Sequence, residues 1–121
     1  MKNLLIVDDD PDLSEFLKEE LARIGYQVTA VRCGNDAVIA TQQQHFDLLI
    51  LDMLMSGMDG IQVIKSVRLL KPGLPILGLT GYLGRGYLTQ AERLGVKCLA
   101  KPVIISDLVD EIQSLLTNNA P

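Results

Sequence analysis

Apolar and amphipathic segments alternate five times along this chain of 121 residues. The apolar runs at 4–7 and 48–51 contain no polar residue, which is typical of strands buried on both faces of a parallel sheet. The run at 28–31 is half polar and is predicted nearer the sheet edge. Two further strands are predicted at 76–79 and 96–100. The alternation predicts an α/β fold: a doubly wound five-stranded parallel sheet, right-handed crossovers and five helices on both faces.

Length, composition and charge predict one cytoplasmic domain over 1–121, with a frayed tail from about residue 117. No apolar run reaches membrane-spanning length, and the first strand begins too early for a signal peptide. The net charge is -4 and aromatic residues make up 4% of the chain, so direct nucleic-acid binding is not expected. Cys33 and Cys98 lie far apart and are predicted to be reduced thiols. His45 has no evident partner and is predicted to be exposed.

Polar residues follow four of the predicted strands, at the point where each strand ends. Asp8 and Asp9 follow the first strand, Asp52 the third, Thr80 the fourth and Lys101 the last. Because the carboxyl ends of parallel strands lie at the same edge of a sheet, we expect these side chains to converge. Taken singly, each residue has an ordinary explanation as a helix cap, a turn former or a solvated side chain. Their shared edge favours a functional site.

The chemistry of these residue types indicates a phosphoryl site. Carboxylates that meet at one place repel one another unless a cation lies among them. Oxygen ligands without His or Cys suit Mg²⁺, and an ammonium at Lys101 with a hydroxyl at Thr80 would frame a tetrahedral dianion. An aspartate can itself accept a phosphoryl group and form an aspartyl phosphate. The metal and Lys101 would then neutralise charge on the transferring oxygens.

The chain resembles the receiver domain of two-component response regulators over essentially its whole length. The matching pieces are the acidic pair after LLIV, Asp52 in DMLMSGMDG, Thr80 in LTG, and Lys101-Pro102. Together, in this order and at these intervals, they are highly specific. The resemblance implies a flavodoxin-like, CheY-like fold with strand order 2-1-3-4-5. It also implies a cis bond between Lys101 and Pro102.

The resemblance implies a role for each site residue. Asp52 would take a phosphoryl group from a phosphohistidine on a sensor histidine kinase or a histidine phosphotransfer protein. Mg²⁺ would be bound by Asp9 and Asp52 directly, by the backbone carbonyl of Leu54, and by Asp8 through water. The domain would catalyse only this transfer to itself, and is therefore a signalling domain rather than an enzyme.

The resemblance further implies a switch. Lys101 would pair with the phosphoryl oxygens, and Thr80 would move toward them with the loop that follows it. An output domain or effector would read the change, and the last strand and helix are the expected partner or homodimer face. Two positions depart from the family: Ser56 replaces a usual proline, and Cys98 a usual aromatic residue. Tyr82 or Tyr87 is the candidate to replace that aromatic.

Two other functions compete with this hypothesis. The first is a haloacid-dehalogenase-like phosphatase, in which Asp8 would be the nucleophile. Such enzymes need a further acidic motif after the lysine, whereas Lys101 is followed by PVII. The second is a receiver-like docking module that is not phosphorylated. The intact Asp52 and Lys101 argue against it, while Cys98 leaves it open.

Overall fold

In a computed structural model of the protein, the structure describes residues 1–55, 58–81 and 87–118. Strands and helices alternate as the sequence predicts, with one short hairpin added. The elements in chain order are β1 (Asn3–Val7), α1 (Pro11–Ile24), β2 (Gln27–Val31), α2 (Gly34–Gln43), β3 (Leu48–Asp52), β4 (Leu54–Met55), β5 (Met58–Asp59), α3 (Gly60–Leu70), β6 (Ile76–Thr80), α4 (Tyr87–Arg93), β7 (Lys97–Ala100) and α5 (Ile105–Asn118).

Five of the described strands form one parallel sheet in the order β2-β1-β3-β6-β7. Numbered within this sheet alone, the order is 2-1-3-4-5, which confirms the predicted topology. The half-polar β2 is one of the two outermost strands of the sheet, as expected, and β7 is the other. The central β1 and β3 are covered on both sides, which is why their sequences are continuous apolar runs.

Two apolar layers enclose the sheet. Leu4 and Ile6 of β1 pack on the face that carries α1 and α5, among residues such as Leu17 and Leu108. Leu5 and Val7 point to the other face, which carries α2, α3 and α4. Alternate residues of a strand point to opposite faces, so one short apolar run serves both layers. The predicted doubly wound arrangement is confirmed.

Local signals set the ends of the first helix. Asp10 caps α1 and accepts from the backbone N–H groups of Asp12 and Leu13 at 3.0 and 3.3 Å. Gly25 ends the helix in the left-handed region with φ 111°, where a side chain would be strained. Because α1 starts directly after the acidic run that follows β1, this cap places that run at the carboxyl edge of the sheet. The carboxyl edge is the side of the sheet at which the carboxyl ends of the parallel strands lie.

The hairpin of β4 and β5 was not predicted from the sequence. It pairs Leu54 with Asp59 and Met55 with Met58, antiparallel, between the end of β3 and the start of α3. Cys33 and Cys98 are free thiols, as predicted. The predicted frayed tail overlaps the end of α5, while residues 119–121 lie outside the described part. Among the described residues, no helix combines the length and apolarity needed to cross a membrane.

Candidate functional site

The carboxyl edge of the sheet brings the predicted acidic residues together. Asp8 and Asp9 follow β1, and Asp52 is the last residue of the neighbouring β3. Each of the three offers a carboxylate oxygen, and these oxygens lie within 4.8 Å of one another. The parallel register causes this convergence, because Val7 is opposite Leu51 and both strands end at the same level.

Lys101 lies between two of these carboxylates. Its Nζ is 3.3 Å from Oδ2 of Asp52 and 3.5 Å from Oδ2 of Asp8. The two aspartates are only 4% and 1% exposed, so their charges are poorly solvated. Asp9, by contrast, is exposed. Among the described residues, the edge therefore combines two buried carboxylates, an exposed one and the ammonium of Lys101.

Burial raises the pKa of Asp8, and the neighbouring Asp52 raises it further through its charge. The backbone N–H of Asp10, which donates to Oδ1 of Asp8 at 2.9 Å, acts in the opposite direction, as does the charge of Lys101. The upward shift of its pKa means that ionisation of Asp8 is disfavoured in these surroundings. A bound cation would relieve that cost.

The backbone after Asp52 contributes to the site. Leu54 donates its N–H to Oδ1 of Asp52 at 3.2 Å, while Oδ2 of the same carboxylate faces Lys101. Met53 is fully buried, and its N–H donates to the carbonyl of Leu79 at 2.9 Å. The segment that follows the carboxylate is therefore held against the sheet, and it places the Leu54 backbone beside the acidic cluster.

Thr80 ends β6 at the same edge and is 1% exposed. Its carbonyl accepts the backbone N–H of Lys101 at 2.8 Å. This bond extends the pairing of β6 and β7 and carries residue 101 past the end of its strand. The Lys101-Pro102 bond is cis, as the resemblance implied. All the residues predicted for the site thus lie at one edge of the sheet.

The donor set fits Mg²⁺ better than a softer metal. The three carboxylates offer oxygen atoms only, and no cysteine or histidine belongs to this cluster of described residues. Mg²⁺ is commonly bound by one or two carboxylates and several waters. Two buried carboxylates and the exposed Asp9 are compatible with that mode, because an ion held there would be open to solvent on the Asp9 side.

Cys98 packs against Gly78, a contact that the sequence pattern did not predict. A Cβ built on Gly78 would lie 2.6 Å from Sγ of Cys98 and 3.1 Å from Cγ and Sδ of Met53. The half-buried thiol therefore occupies space that a side chain at position 78 would need, and burial, followed by the charge of Glu92, raises its pKa. Gly78 and Cys98 are paired across β6 and β7, and this pairing could be recognised only once the register of the two strands was known.

Other predictions have mixed outcomes. Ser56 and Tyr82 lie outside the described residues, and so does the side chain of Tyr87. His45 is exposed as predicted, with 78% of its side chain accessible, but the expected lack of a partner was wrong. Its Nε2 lies 3.1 Å from Oδ1 of Asp47, at the opposite edge of the sheet.

The fold and the acidic cluster define a class of doubly wound α/β domains with carboxylates gathered at the carboxyl ends of parallel strands. Comparison with known proteins identifies the family. Residues 4–113 match the family described as response regulator receiver domain. The chain is 34% identical over 117 residues to the response regulator receiver protein CpdR of Brucella abortus, covering 96% of this chain and 98% of CpdR. The chain belongs to the response regulator receiver family and is a receiver domain of the two-component type.

Two further relatives place the domain in context. The transcriptional regulatory protein GlrR of Escherichia coli is 33% identical over 120 residues, which cover 98% of this chain and 27% of GlrR. The response regulator TrrA of Thermotoga maritima, solved with Mg²⁺-BeF, has a TM-score of 0.85 at 30% identity, covering 95% of this chain and 99% of TrrA. TrrA was also solved in complex with the histidine kinase ThkA, with a TM-score of 0.85 at 31% identity and coverage of 96% and 99%.

Proposed function

We propose that Asp52 is the phosphoacceptor of this receiver domain and that the transfer depends on Mg²⁺. The observation that carries the proposal is the position of the Asp52 carboxylate, buried at the strand end with Lys101 Nζ 3.3 Å away. The phosphoryl donor is a phosphohistidine on a sensor histidine kinase or a histidine phosphotransfer protein. The complex of TrrA with ThkA supports a kinase as the partner.

The proposed metal ligands are Asp9, Asp52 and the backbone carbonyl of Leu54, with Asp8 acting through water. Three convergent carboxylates support this set, and so does the Mg²⁺-BeF complex of TrrA. When bound, the ion supplies positive charge to the oxygens of the group in transfer. The chain's own contribution is to hold the ligands in place before the ion arrives.

In the transfer step, a carboxylate oxygen of Asp52 forms a bond to phosphorus as the bond from phosphorus to the donor imidazole nitrogen breaks. The electron pair of that bond leaves with the imidazole. Lys101 donates to a phosphoryl oxygen, where it neutralises developing charge. The N–H of Leu54, 3.2 Å from Oδ1, holds the carboxylate in orientation. The attacking form of an aspartate nucleophile is the carboxylate, which has no proton for a general base to remove.

The aspartyl phosphate then switches a partner surface. Thr80 moves toward the phosphoryl oxygens and takes the following loop with it. The partner or homodimer face comprises β7 and α5, which are joined by an ion pair of 2.6 Å between Lys97 Nζ and Glu111 Oε1. The reader is an output domain or a separate effector, and the cytoplasm remains the predicted location. The greater length of GlrR supports an output domain as one form of reader.

Incubation with acetyl phosphate and Mg²⁺, followed by mass spectrometry of the intact chain and its peptides, tests the proposal. We expect one phosphoryl group on Asp52, and none in EDTA or in Asp52→Asn. The matched control is Asp47→Asn, at the other end of β3, which keeps the adduct. No adduct on the wild-type chain would favour the docking module instead. Turnover of a phosphate ester that depends on Asp8 but not on Asp52 would favour the phosphatase.

A further inference from the structure

The first residue of α3 lies unusually close to the backbone that follows the phosphoacceptor. A Cβ built on Gly60 would lie 2.7 Å from both Cα and O of Met53, and 3.1 Å from its carbonyl carbon. These are backbone atoms, so no side-chain rotation relieves the overlap. Among the described residues, the glycines with positive φ are Gly25 and Gly95. The need for glycine at position 60 therefore comes from space and not from backbone conformation.

The close approach holds the Met53 backbone from two sides. The carbonyl of Met53 accepts the N–H of Gly60 at 3.0 Å, and the N–H of Met53 donates to Leu79 at 2.9 Å. The next N–H, that of Leu54, donates to Oδ1 of Asp52. The peptide groups on either side of Met53 are thus fixed between β6 and α3. A displacement of Met53 would move Leu54 relative to Asp52.

The hairpin ties Leu54 to the start of the same helix. Leu54 pairs with Asp59 across β4 and β5, and Oδ1 of Asp59 caps α3 by accepting the N–H of Ile61 at 2.9 Å. Leu54 is therefore joined to the first turn of α3 through Asp59 as well as through the Met53 contact. The start of α3 therefore fixes the position of the segment that follows Asp52.

We propose that Gly60 is a positioning residue for Mg²⁺, because its lack of a side chain sets the Leu54 backbone at the metal site. This inference rests on the proposed Mg²⁺-dependent function. The start of α3 would thus help to position the Leu54 backbone for Mg²⁺, in addition to the ligands supplied by the carboxylates. Any side chain at position 60 displaces a metal-binding backbone group while it leaves every carboxylate ligand chemically intact.

The test compares Gly60→Ala with Gly73→Ala in the full chain. Gly73 lies in the loop between α3 and β6, where an added Cβ meets no atom within 4 Å. Mg²⁺ is titrated and followed by backbone amide shifts, and urea unfolding in EDTA measures the fold separately. We expect Gly60→Ala to bind Mg²⁺ at least about tenfold more weakly, a loss typical of outer-shell substitutions. Gly73→Ala should bind as the wild type does.

Unchanged Mg²⁺ affinity in Gly60→Ala would overturn the proposal, and so would an equal loss in Gly73→Ala. If Gly60→Ala does not fold, Asp59→Ala and Asp59→Asn replace it. Both remove the same charge, but only Asn keeps the acceptor for Ile61. We expect several-fold weaker binding in the Ala variant than in the Asn variant, and equal affinities would contradict the proposal. A wild-type chain that binds no Mg²⁺ would instead refute the proposed function itself.

Discussion

β3 has an aspartate at each end, and the two have opposite surroundings. Asp47 precedes the strand at the amino edge of the sheet, where Oδ2 accepts the N–H of Asn3 at 2.8 Å and Oδ1 faces His45 at 3.1 Å. Partial burial alone would raise the pKa of Asp47. The hydrogen bonds from Asn3 and His45 outweigh that effect, so the pKa is lowered. This carboxylate is more stable ionised, and it joins the start of β3 to β1.

Asp52 ends the strand at the carboxyl edge, where its carboxylate lies close to those of Asp8 and Asp9. Lys101 is within 3.5 Å of Asp8 and 3.3 Å of Asp52, and burial raises the pKa of Asp8. The same residue type therefore joins two strands at one edge of the sheet and belongs to a cluster of carboxylates at the other. The surroundings distinguish the two roles. Either nearby hydrogen-bond donors satisfy the negative charge of the carboxylate, or that charge stays unsatisfied until a cation binds.

The largest expected effect concerns Lys101, whose ammonium contacts Asp8 and Asp52. Lys101→Ala should slow phosphorylation of Asp52 by acetyl phosphate about 10²-fold, because a preorganised donor to the phosphoryl oxygens is lost. The rate is measured by intact-mass spectrometry in saturating Mg²⁺, after circular dichroism confirms the fold. Lys97→Ala removes a lysine that pairs with Glu111 away from the cluster, and it should keep the wild-type rate. A wild-type rate in Lys101→Ala would show that Lys101 has no role in the phosphorylation of Asp52.

Neutralising one aspartate at each edge should change stability in opposite directions. In EDTA, Asp47→Asn should lower the free energy of unfolding by about 1–2 kcal/mol, because hydrogen bonds to an ionised group are lost. Asp8→Asn should raise it by about 1 kcal/mol, because relieving an unfavourable functional site commonly stabilises a protein by this amount. Urea unfolding of the three chains measures both. Changes of the same sign would show that the two carboxylates do not differ in their effect on stability.

The pH dependence should separate the two edges further. Asp47 has a lowered pKa, so its contribution is present above the unfolded value of about 3.9 and is lost as pH falls below it. Asp8 has a raised pKa, so its ionisation costs stability as pH rises above that unfolded value. As pH falls, the advantage of Asp8→Asn over wild type should disappear first. The deficit of Asp47→Asn should follow at lower pH, and the reverse order in metal-free urea unfolding would contradict both assignments.

The smallest effect is expected at His45. Its side chain is 78% exposed, so His45→Gln should change the free energy of unfolding by only a few tenths of a kcal/mol. A double-mutant cycle with Asp47→Asn, repeated at high salt, measures the coupling and its screening. A coupling as large as the full effect of Asp47→Asn would show that the histidine, and not the Asn3 backbone, holds the amino-edge carboxylate.

The alternation of strands and helices could be predicted because its causes are local and directional. The strand order was implied by the family resemblance, and the hairpin of β4 and β5 was not predicted. Apolar runs such as 4–7 and 48–51 specify strands buried on both faces, and helical spacing between them specifies crossovers. Parallel strands must end at one edge, so the convergence of Asp8, Asp52 and Lys101 followed from strand direction alone. Capping by Asp10 was equally readable, because a cap involves neighbours in sequence.

The pattern of residues along the chain therefore specifies the alternating strands and helices and the sheet edge at which the polar residues converge. Three contacts became visible only in the folded chain: Lys101 lies between Asp8 and Asp52, Cys98 occupies the space beside Gly78, and Gly60 abuts Met53. The physical reason is that these features are distances between parts of the chain that periodicity does not relate. Asp8 and Lys101 are 93 positions apart, and a contact over that separation exists only after the whole sheet has set its register.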